Sequence, residues 1–330
     1  MREGHGTCRG HHGELLQGVF TWTPSSSSRR DHESQWHGLV TLPMNSRHTR
    51  ARFVPDPPHT GRAPTSTTPR GHRLRGETRR TKARRAAELA LDYLATTHGL
   101  HLTGELTITS TLPSGWGMGS STADVVATIR AVTDSAHVTL PTHHLARLAV
   151  AAEGASDPTM NNDTQGTSLF AQRKGIIFHR WNYTLPPLVV VGCRCGEPVD
   201  TEELHARSNQ YSSTTIGEFD ALRDTFGEAL AARDAAGIGK VATRSALLNQ
   251  ERLHKPELDL LLDICGDCRA VGVQVAHSGS IAGILFDASA TASGPQTGTA
   301  WSALHAQVCD CCAALTSLNL PLTIVERVRG

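Results

Sequence analysis

The sequence predicts an α+β protein, and three observations carry that expectation. Runs with alternating or continuous apolar character, such as GELTITST (Gly104 to Thr111), LPPLVVVGC and PLTIVERV, have the period and length of strands. Runs such as ADVVATIRAV (Ala123 to Val132) and EFDALRDTFGEALAARDAAG have helical spacing. The two kinds of element alternate without any repeat, and Pro186 and Pro187 punctuate the chain between a strand-rich first part and a helix-rich second part. The expected division is 1–187 and 188–330.

In chain order, the first strands are split by a polar loop, TPSSSSRRDHESQ (Thr23 to Gln35), to which no chemistry is assigned. From Arg47 to Arg85 twelve Lys or Arg residues face two acids. Its proline-rich beginning, with few apolar residues, reads as a mobile insertion. Its end, TRRTKARRAAELALDYLATTHG, becomes a helix with Leu89, Leu91, Tyr93 and Leu94 as apolar positions. The patch either attracts an anion or is a solvated face, the commoner use of a charge run. GELTITST is a strand and ADVVATIRAV a helix, with a glycine-rich loop between them. LPTHHLARLAVAAE (Leu140 to Glu153) is helical, and TSLFAQRKGIIFHRW and LPPLVVVGC are strands. The stretch from Thr201 to Gly272 is mostly helical. VGVQVAHSGSIAGILFD is a strand–loop–strand, WSALHAQVCDCCAALTSL a helix and PLTIVERV the last strand.

Composition narrows the class. Of 330 residues, 38% are hydrophobic and 19% charged with a net charge of +1, the profile of a globular protein with no overall bias toward nucleic acid or membrane. No apolar run has the length of a membrane span and the first residues have no signal-peptide core, so a cytoplasmic protein is expected. The basic patch lacks interleaved aromatics, which speaks against a nucleic-acid surface. Eight cysteines occur, including CGDC (Cys265 to Cys268) and CDCC (Cys309 to Cys312). A zinc site needs ligands converging from separate turns, and Cys265 and Cys268 fall within a helical pattern, so buried thiols are the default reading.

The chemistry concentrates in LPSGWGMGSSTAD (Leu112 to Asp124). Glycines at 115, 117 and 119 let backbone N–H groups approach an anion, and the following helix adds the partial positive charge of its N-terminus. Ser120, Ser121 and Thr122 fall in its first turn, where hydroxyls cap the helix, bind phosphate oxygens or reach a bound Mg²⁺. No GK[ST] follows, so the loop is not a P-loop, and the spacing lacks the third glycine of a dinucleotide fingerprint.

PSGWGMGSSTAD resembles the second motif of the GHMP kinases, P-x-x-x-G-L-G-S-S-A-A, and its TAD ending is similar to the L-threonine kinase branch. GHHGELLQG (Gly10 to Gly18) is similar to that branch's G-x-C-G-E-L-x-Q-G, and AHSGSIAGILFD (Ala276 to Asp287) to its third, glycine-rich motif. RSALLNQERLHKPELDLLL, VDTEEL (Val199 to Leu204) and SDPTM (Ser156 to Met160) match shorter pieces, so the resemblance runs from about Gly10 to Asp287.

The resemblance implies a GHMP kinase fold, with an N-terminal domain like ribosomal protein S5 domain 2 and a C-terminal ferredoxin-like domain. It implies ATP on Pro113, Ser114, Gly115, Trp116, Gly117, Met118, Gly119, Ser120 and Ser121, and Mg²⁺ on Ser121 and Glu153. Asp157 is the implied base or hydroxyl-orienting group, although an Asp before Pro158 also suits a plain turn. Glu14, Gln17, His277, Ser278 and Gly279 are the implied substrate residues. The implied reaction is ATP-dependent phosphorylation of the side-chain hydroxyl of L-threonine or a related hydroxy amino acid. A GHMP kinase for another small alcohol, homoserine-like or a natural-product intermediate, and a non-catalytic ligand-binding relative are the alternatives. The expected partners are the hydroxy amino acid and the nucleotide, with no nucleic acid and no membrane; a homodimer is left open. The chain departs from the branch at Trp116, where lysine is common, at His12, which stands for cysteine, and at Gly119, often alanine. These departures leave the substrate open.

Overall fold

A computed structural model of the chain describes residues 1–22, 34–57, 74–161, 166–196, 211–250, 252, 254–291 and 298–328. The polar loop at 23–33, the core of the basic segment at 58–73 and VDTEEL at 199–204 lie outside the described residues.

The chain opens with two long antiparallel strands, β1 (Gly4–Trp22) and β2 (Ser34–Pro55). β3 (Leu74–Gly76) is followed by α1 (Thr81–His98), β4 (Gly104–Ser110), α2 (Ser120–Ser135) and α3 (Thr142–Glu153). After a 3₁₀ turn at Pro158–Asn161 come β5 (Thr167–Ala171), β6 (Ile176–Trp181) and β7 (Leu188–Arg194). The remainder is α4 (Ser213–Ala232), α5 (Ala235–Leu248), α6 (Leu258–Asp267), β8 (Gly272–Val275), β9 (Ile281–Asp287), α7 (Thr299–Ser317) and β10 (Leu322–Val328). Elements of both types alternate as the apolar periodicity predicts.

The strands join in the order β10-β7-β9-β8-β1-β2-β4-β3, and β5 pairs with β2 and β6 beside that path. One core packs β1, β2 and β4 against α1, α2 and α3, around Phe20, Phe53, Leu91 and Ile129, and continues under α4 and α5. A second core lies between β7, β8, β9 and the helices α6 and α7, around Val191, Ile284 and Leu261. β1 meets β8 through the single register pair Glu14↔Val275, so the strand that carries the first motif lies at the seam.

α2 is apolar on most of its surface, with Ala123, Val125, Val126, Ile129 and Val132 all buried. It lies directly on β1: a Cβ at Gly6 would stand 2.0 Å from the Ala127 carbonyl oxygen, so only glycine permits that approach. β1 is irregular at one place, with register shifts between Arg9 and His11, His11 and Glu14, and Glu14 and Leu16. Bulges re-aim side chains next to functional sites, and here they turn His11, His12 and Glu14 into the interior, where all three are buried.

One expectation is corrected. Residues 47–55, read as the start of a mobile insertion, are the end of β2, and residues 74–76 form β3; the helix expected at the end of the segment is α1, from Thr81. The charges alternate with buried positions: Thr49, Ala51 and Phe53 face inward while Arg50 and Arg52 face solvent, and Arg52 pairs with Glu3. A period of two hidden under a high charge density is still a strand. All eight cysteines are free: Cys265, Cys268 and Cys311 lie in the second core, whereas Cys309 is exposed and Cys312 half-buried. Among the described residues no helix is long and apolar enough to cross a membrane.

Candidate active site

The glycine-rich loop links β4 to α2, and Gly115, Gly117 and Gly119 take φ values of 78°, 83° and 69°, the left-handed region that glycine enters without strain. A Cβ on Gly117 would stand 2.7 Å from the Ala276 Cβ and 2.9 Å from the Ser278 carbonyl oxygen; one on Gly279 would stand 2.4 Å from the Gly117 nitrogen. The two glycine-rich loops therefore touch backbone to backbone across the seam. α2 starts with no side-chain cap at Gly119. Its first N–H groups have no partner within the helix, the usual condition for anion binding at a helix start. The Met118 side chain is fully buried in the first core, so any contribution from this residue to the loop's concave side comes from its backbone.

The first turn of α2 faces two carboxylates. Ser121 Oγ donates to Glu153 Oε2 at 2.8 Å and Thr122 Oγ1 to Glu153 Oε1 at 2.9 Å. The Asp157 N–H donates to Thr122 Oγ1 at 3.1 Å, and the Asp157 Oδ2 lies 3.4 Å from the same hydroxyl. Burial and the neighbouring Asp157 push the Glu153 carboxyl up to about 7, despite the hydroxyls that donate to it. Asp157 goes the other way: burial works to raise it, but His11, His277 and Thr122 outweigh burial and hold it below the usual aspartate value. Two carboxyls four positions apart are thus shifted in opposite directions.

On the far side of Asp157 stands His11, with Nε2 3.2 Å from Asp157 Oδ2 and Nδ1 3.8 Å from Glu14 Oε1. Glu14 accepts from the His277 N–H at 2.7 Å and from His277 Nδ1 at 3.2 Å. Burial lowers both His11 and His277, and the carboxylates beside them more than reverse it, so both rings sit above the ordinary histidine value. His11, Glu14 and Asp157 are the set of metal-ligand types that converges within 4.8 Å among the described residues. The two ring nitrogens face opposite carboxylates, the geometry of a bridging imidazolium rather than of one ligand shell.

Successive contacts thus link Ser121, Glu153 and Asp157 through His11 to Glu14 and His277, and Ser278 and Gly279 of the same loop abut Gly117. Gln17 is tied into the neighbouring framework. Its N–H is held by Ser245 Oγ at 3.0 Å, its carbonyl takes Asn249 Nδ2 at 2.9 Å and its Nε2 donates to the Val275 carbonyl at 3.2 Å, so it ties β1 to α5 and β8. Trp116 is half-buried, and the guanidinium of Arg194 lies 5.6 Å from its ring centroid. A cation from β7 thus stands beside the loop at this position.

Three residues that the sequence does not single out contribute here, beside Thr122 of the first turn, which links Glu153 to Asp157. His11 links Asp157 to Glu14, and Arg194 covers Trp116. Lys255, buried, donates from Nζ to the Gly279 carbonyl at 2.6 Å, and burial lowers its pKa. His11 had one visible signal, a histidine three positions before Glu14 in a motif; the single lysine in HKPEL had none.

A family model described as GHMP kinases N terminal domain matches residues 81–162, from α1 through the glycine loop and Asp157. Among curated proteins, the L-threonine kinase of Citrobacter freundii is 31% identical over 191 residues, covering 57% of this chain and 64% of that protein. The L-threonine kinase of Salmonella typhimurium is 29% identical over 184 residues, 54% of this chain and 59% of that protein. The matched stretch thus spans less than two thirds of either relative. Among solved structures, homoserine kinase from Cytophaga hutchinsonii superposes with a TM-score of 0.66 at 12% identity, covering 100% of this chain and 95% of that one. Mevalonate kinase of L. major, in complex with R-mevalonate, superposes with a TM-score of 0.59 at 17% identity, covering 99% and 94%. The chain thus carries a segment that matches the GHMP kinases N terminal domain, is similar in sequence to L-threonine kinases, and shares the fold of homoserine and mevalonate kinases.

Proposed function

We propose that the protein is an ATP-dependent kinase that phosphorylates the side-chain hydroxyl of L-threonine or a related hydroxy amino acid. The observation that carries this reading is the convergence of Ser121, Glu153 and Asp157 at the start of α2, directly after a loop built for an anion. Phosphoryl transfer asks a protein mainly for positioning and charge stabilisation. The loop from Pro113 to Ser121 supplies the phosphate cradle through backbone N–H groups. The donor set of Ser121 and Glu153, a hydroxyl and a carboxylate with only oxygen ligands, fits Mg²⁺. Glu153, driven toward its neutral form by burial and by Asp157, is a carboxyl with a strong gain from a nearby cation. Bound there, Mg²⁺ supplies charge neutralisation at the phosphates.

Asp157 is the base: it is kept ionised by His11 and faces the same turn as the phosphate loop, where it accepts or orients the hydroxyl proton of the substrate. His277, Ser278 and Gly279 border Glu14 and the phosphate loop from the second loop. The curated relatives named as L-threonine kinases support an amino acid as acceptor.

Incubation with ATP, Mg²⁺ and a panel of L-threonine, L-serine, L-homoserine and simple alcohols, followed by phosphorus NMR for a new phosphomonoester, tests the reading. Turnover of L-threonine above the others supports it. Turnover of a simple alcohol alone replaces the substrate, and nucleotide binding with no turnover makes the protein a ligand-binding relative.

A further inference from the structure

The bulged section of β1 places one residue against the base and the phosphate loop at once, and Glu14 connects it to the second glycine loop. The His11 side chain is 2% exposed and that of Glu14 is fully buried. The His11 N–H donates to the Met118 carbonyl at 3.2 Å, which pins the residue to the phosphate loop. The ring lies over Gly119, where a Cβ would stand 2.6 Å from Cδ2 and 2.8 Å from Nε2. Neither ring nitrogen has an aligned hydrogen bond. They point instead at Asp157 Oδ2 on one side and Glu14 Oε1 on the other. Glu14 in turn holds the backbone N–H of His277 in the second loop.

We infer that His11 is the positioning residue of the site, a bridge between Asp157 and Glu14 that aims the base and couples it to the loop of residues 276–280. The inference rests on the kinase reading for its catalytic consequence and on the geometry alone for the bridge. A buried carboxylate keeps its charge only when a cation or donors compensate it. The groups facing His11 are Asp157 from the segment after α3, Glu14 from β1, His277 from the second loop and His12 behind it on β1. The two carboxylates lie on either side of the His11 ring, so protonated His11 balances the pair while His277 serves the far side of Glu14. A neutral side chain at position 11 leaves Asp157 facing Glu153 without its nearest cation. Because the ring packs against Gly119, its loss also frees the base to shift relative to the phosphate loop.

The experiment compares wild type with His11→Gln, His11→Ala and Asp157→Asn, each checked for folding by thermal unfolding. With the turned-over member of the panel, His11→Gln and His11→Ala are expected to lower kcat by about 100-fold, within the range general base positioning supplies. The KM for ATP stays within about threefold, because the loop's N–H groups remain, and calorimetry gives unchanged nucleotide binding. The acid limb of the kcat profile moves to higher pH. Adding Asp157→Asn to His11→Ala costs little more, as for residues acting as one unit. A His11→Gln enzyme with kcat within about threefold of wild type and an unmoved acid limb overturns the inference.

A second arm needs no turnover and separates this inference from the kinase reading. In ¹⁵N-labelled protein the His11 ring is expected in its doubly protonated form at pH 7, and to lose that form in Asp157→Asn. A neutral His11 ring at pH 7 in wild type overturns the bridge even where turnover is found; a protonated ring with no turnover of any panel member retains the bridge and fails the kinase reading.

Discussion

Gly117 and Gly279, 162 positions apart in the chain, stand backbone to backbone: a Cβ on Gly279 would fall 2.4 Å from the Gly117 nitrogen and 2.5 Å from its Cα. Both have positive φ, 83° and 149°. The phosphate loop thus takes its shape partly from a loop contributed by the second half of the chain. Lys255 holds that second loop from beneath through the Gly279 carbonyl. Gly279→Ala must push the two backbones apart and accept a strained φ, at about 1–3 kcal/mol. The expected result is a nucleotide Kd raised at least about tenfold by calorimetry, the equivalent of about 1.4 kcal/mol. Gly266→Ala, where a Cβ meets nothing within 4 Å, serves as the control. Equal binding by Gly279→Ala and wild type would show that the contact between the loops does not shape the nucleotide site.

Arg194 and Trp116 form the other link between the halves. A guanidinium within about 6 Å of an indole face gains about 0.5–2 kcal/mol, depending on exposure, and here it brings positive charge to the middle of an anion-binding loop. Arg194→Ala should weaken ATP binding about three- to tenfold and reduce the salt dependence of Kd, because a positive charge beside the loop is lost. Trp116→Phe keeps a ring under the cation and should stay within about threefold of wild type. An Arg194→Ala protein with unchanged Kd at both low and high salt would assign the pair to packing alone.

The elements were legible because their periods are strong: every strand and helix read from GELTITST onward is present among the described residues. The glycine loop was legible because three left-handed glycines before three hydroxyls have few other uses. The end of β2 was hidden by its charges, since the outward positions Arg50 and Arg52 drown the inward Ala51 and Phe53 in any composition average. Lys255 and Arg194 were hidden for a different reason. Each acts on a residue apart in sequence, Lys255 on Gly279 and Arg194 on Trp116, and only the fold brings them together. Gln17, read as a site residue from its motif, ties β1 to α5 and β8 through its backbone and its Nε2, while its Oε1 is buried without a hydrogen-bond partner.

Glu153 gives a pH signature in the metal-free protein. Its folded-state pKa is raised from 4.5 to about 7 by burial and by Asp157. Between these values the folded protein keeps a proton that the unfolded chain has released, so stability declines as pH rises from about 4.5 and levels off above about 7. The full effect is on the order of 3 kcal/mol. Urea unfolding in the presence of a chelator at pH 5, 6, 7 and 8 should show a smaller decline for Glu153→Gln than for wild type. Parallel curves for the two proteins would mean that Glu153 is ionised throughout, with its two hydroxyl donors sufficient to hold the charge.

His12 gives a signature of opposite sign. The ring is fully buried between two polar partners, with Gln274 Nε2 2.7 Å from Nδ1 and Thr323 Oγ1 3.0 Å from Nε2. Gly192 and Gly283 leave the room for it, since a Cβ at Gly192 would stand 2.3 Å from Nε2 and one at Gly283 3.3 Å from Cε1. With the Gln274 amide donating to Nδ1, the ring's own N–H at Nε2 donates to the Thr323 hydroxyl, and a second ring proton would face an amide NH₂. Burial, then the charge of His11, lowers the His12 pKa from 6.5 to about 3. The unfolded chain takes up a proton below about 6.5 while the folded protein does not, so stability is present at neutral pH and is lost as pH falls toward 3. Its upper bound is about 4–5 kcal/mol. His12→Gln removes the titration, and its urea midpoint should fall less between pH 7 and pH 4.5 than that of wild type, whatever its stability at pH 7. Proton NMR of the His12 Cε1–H gives the direct check: a resonance that stays at its neutral position down to pH 4.5 agrees with a ring held between Gln274 and Thr323, and one that titrates near pH 6 contradicts it.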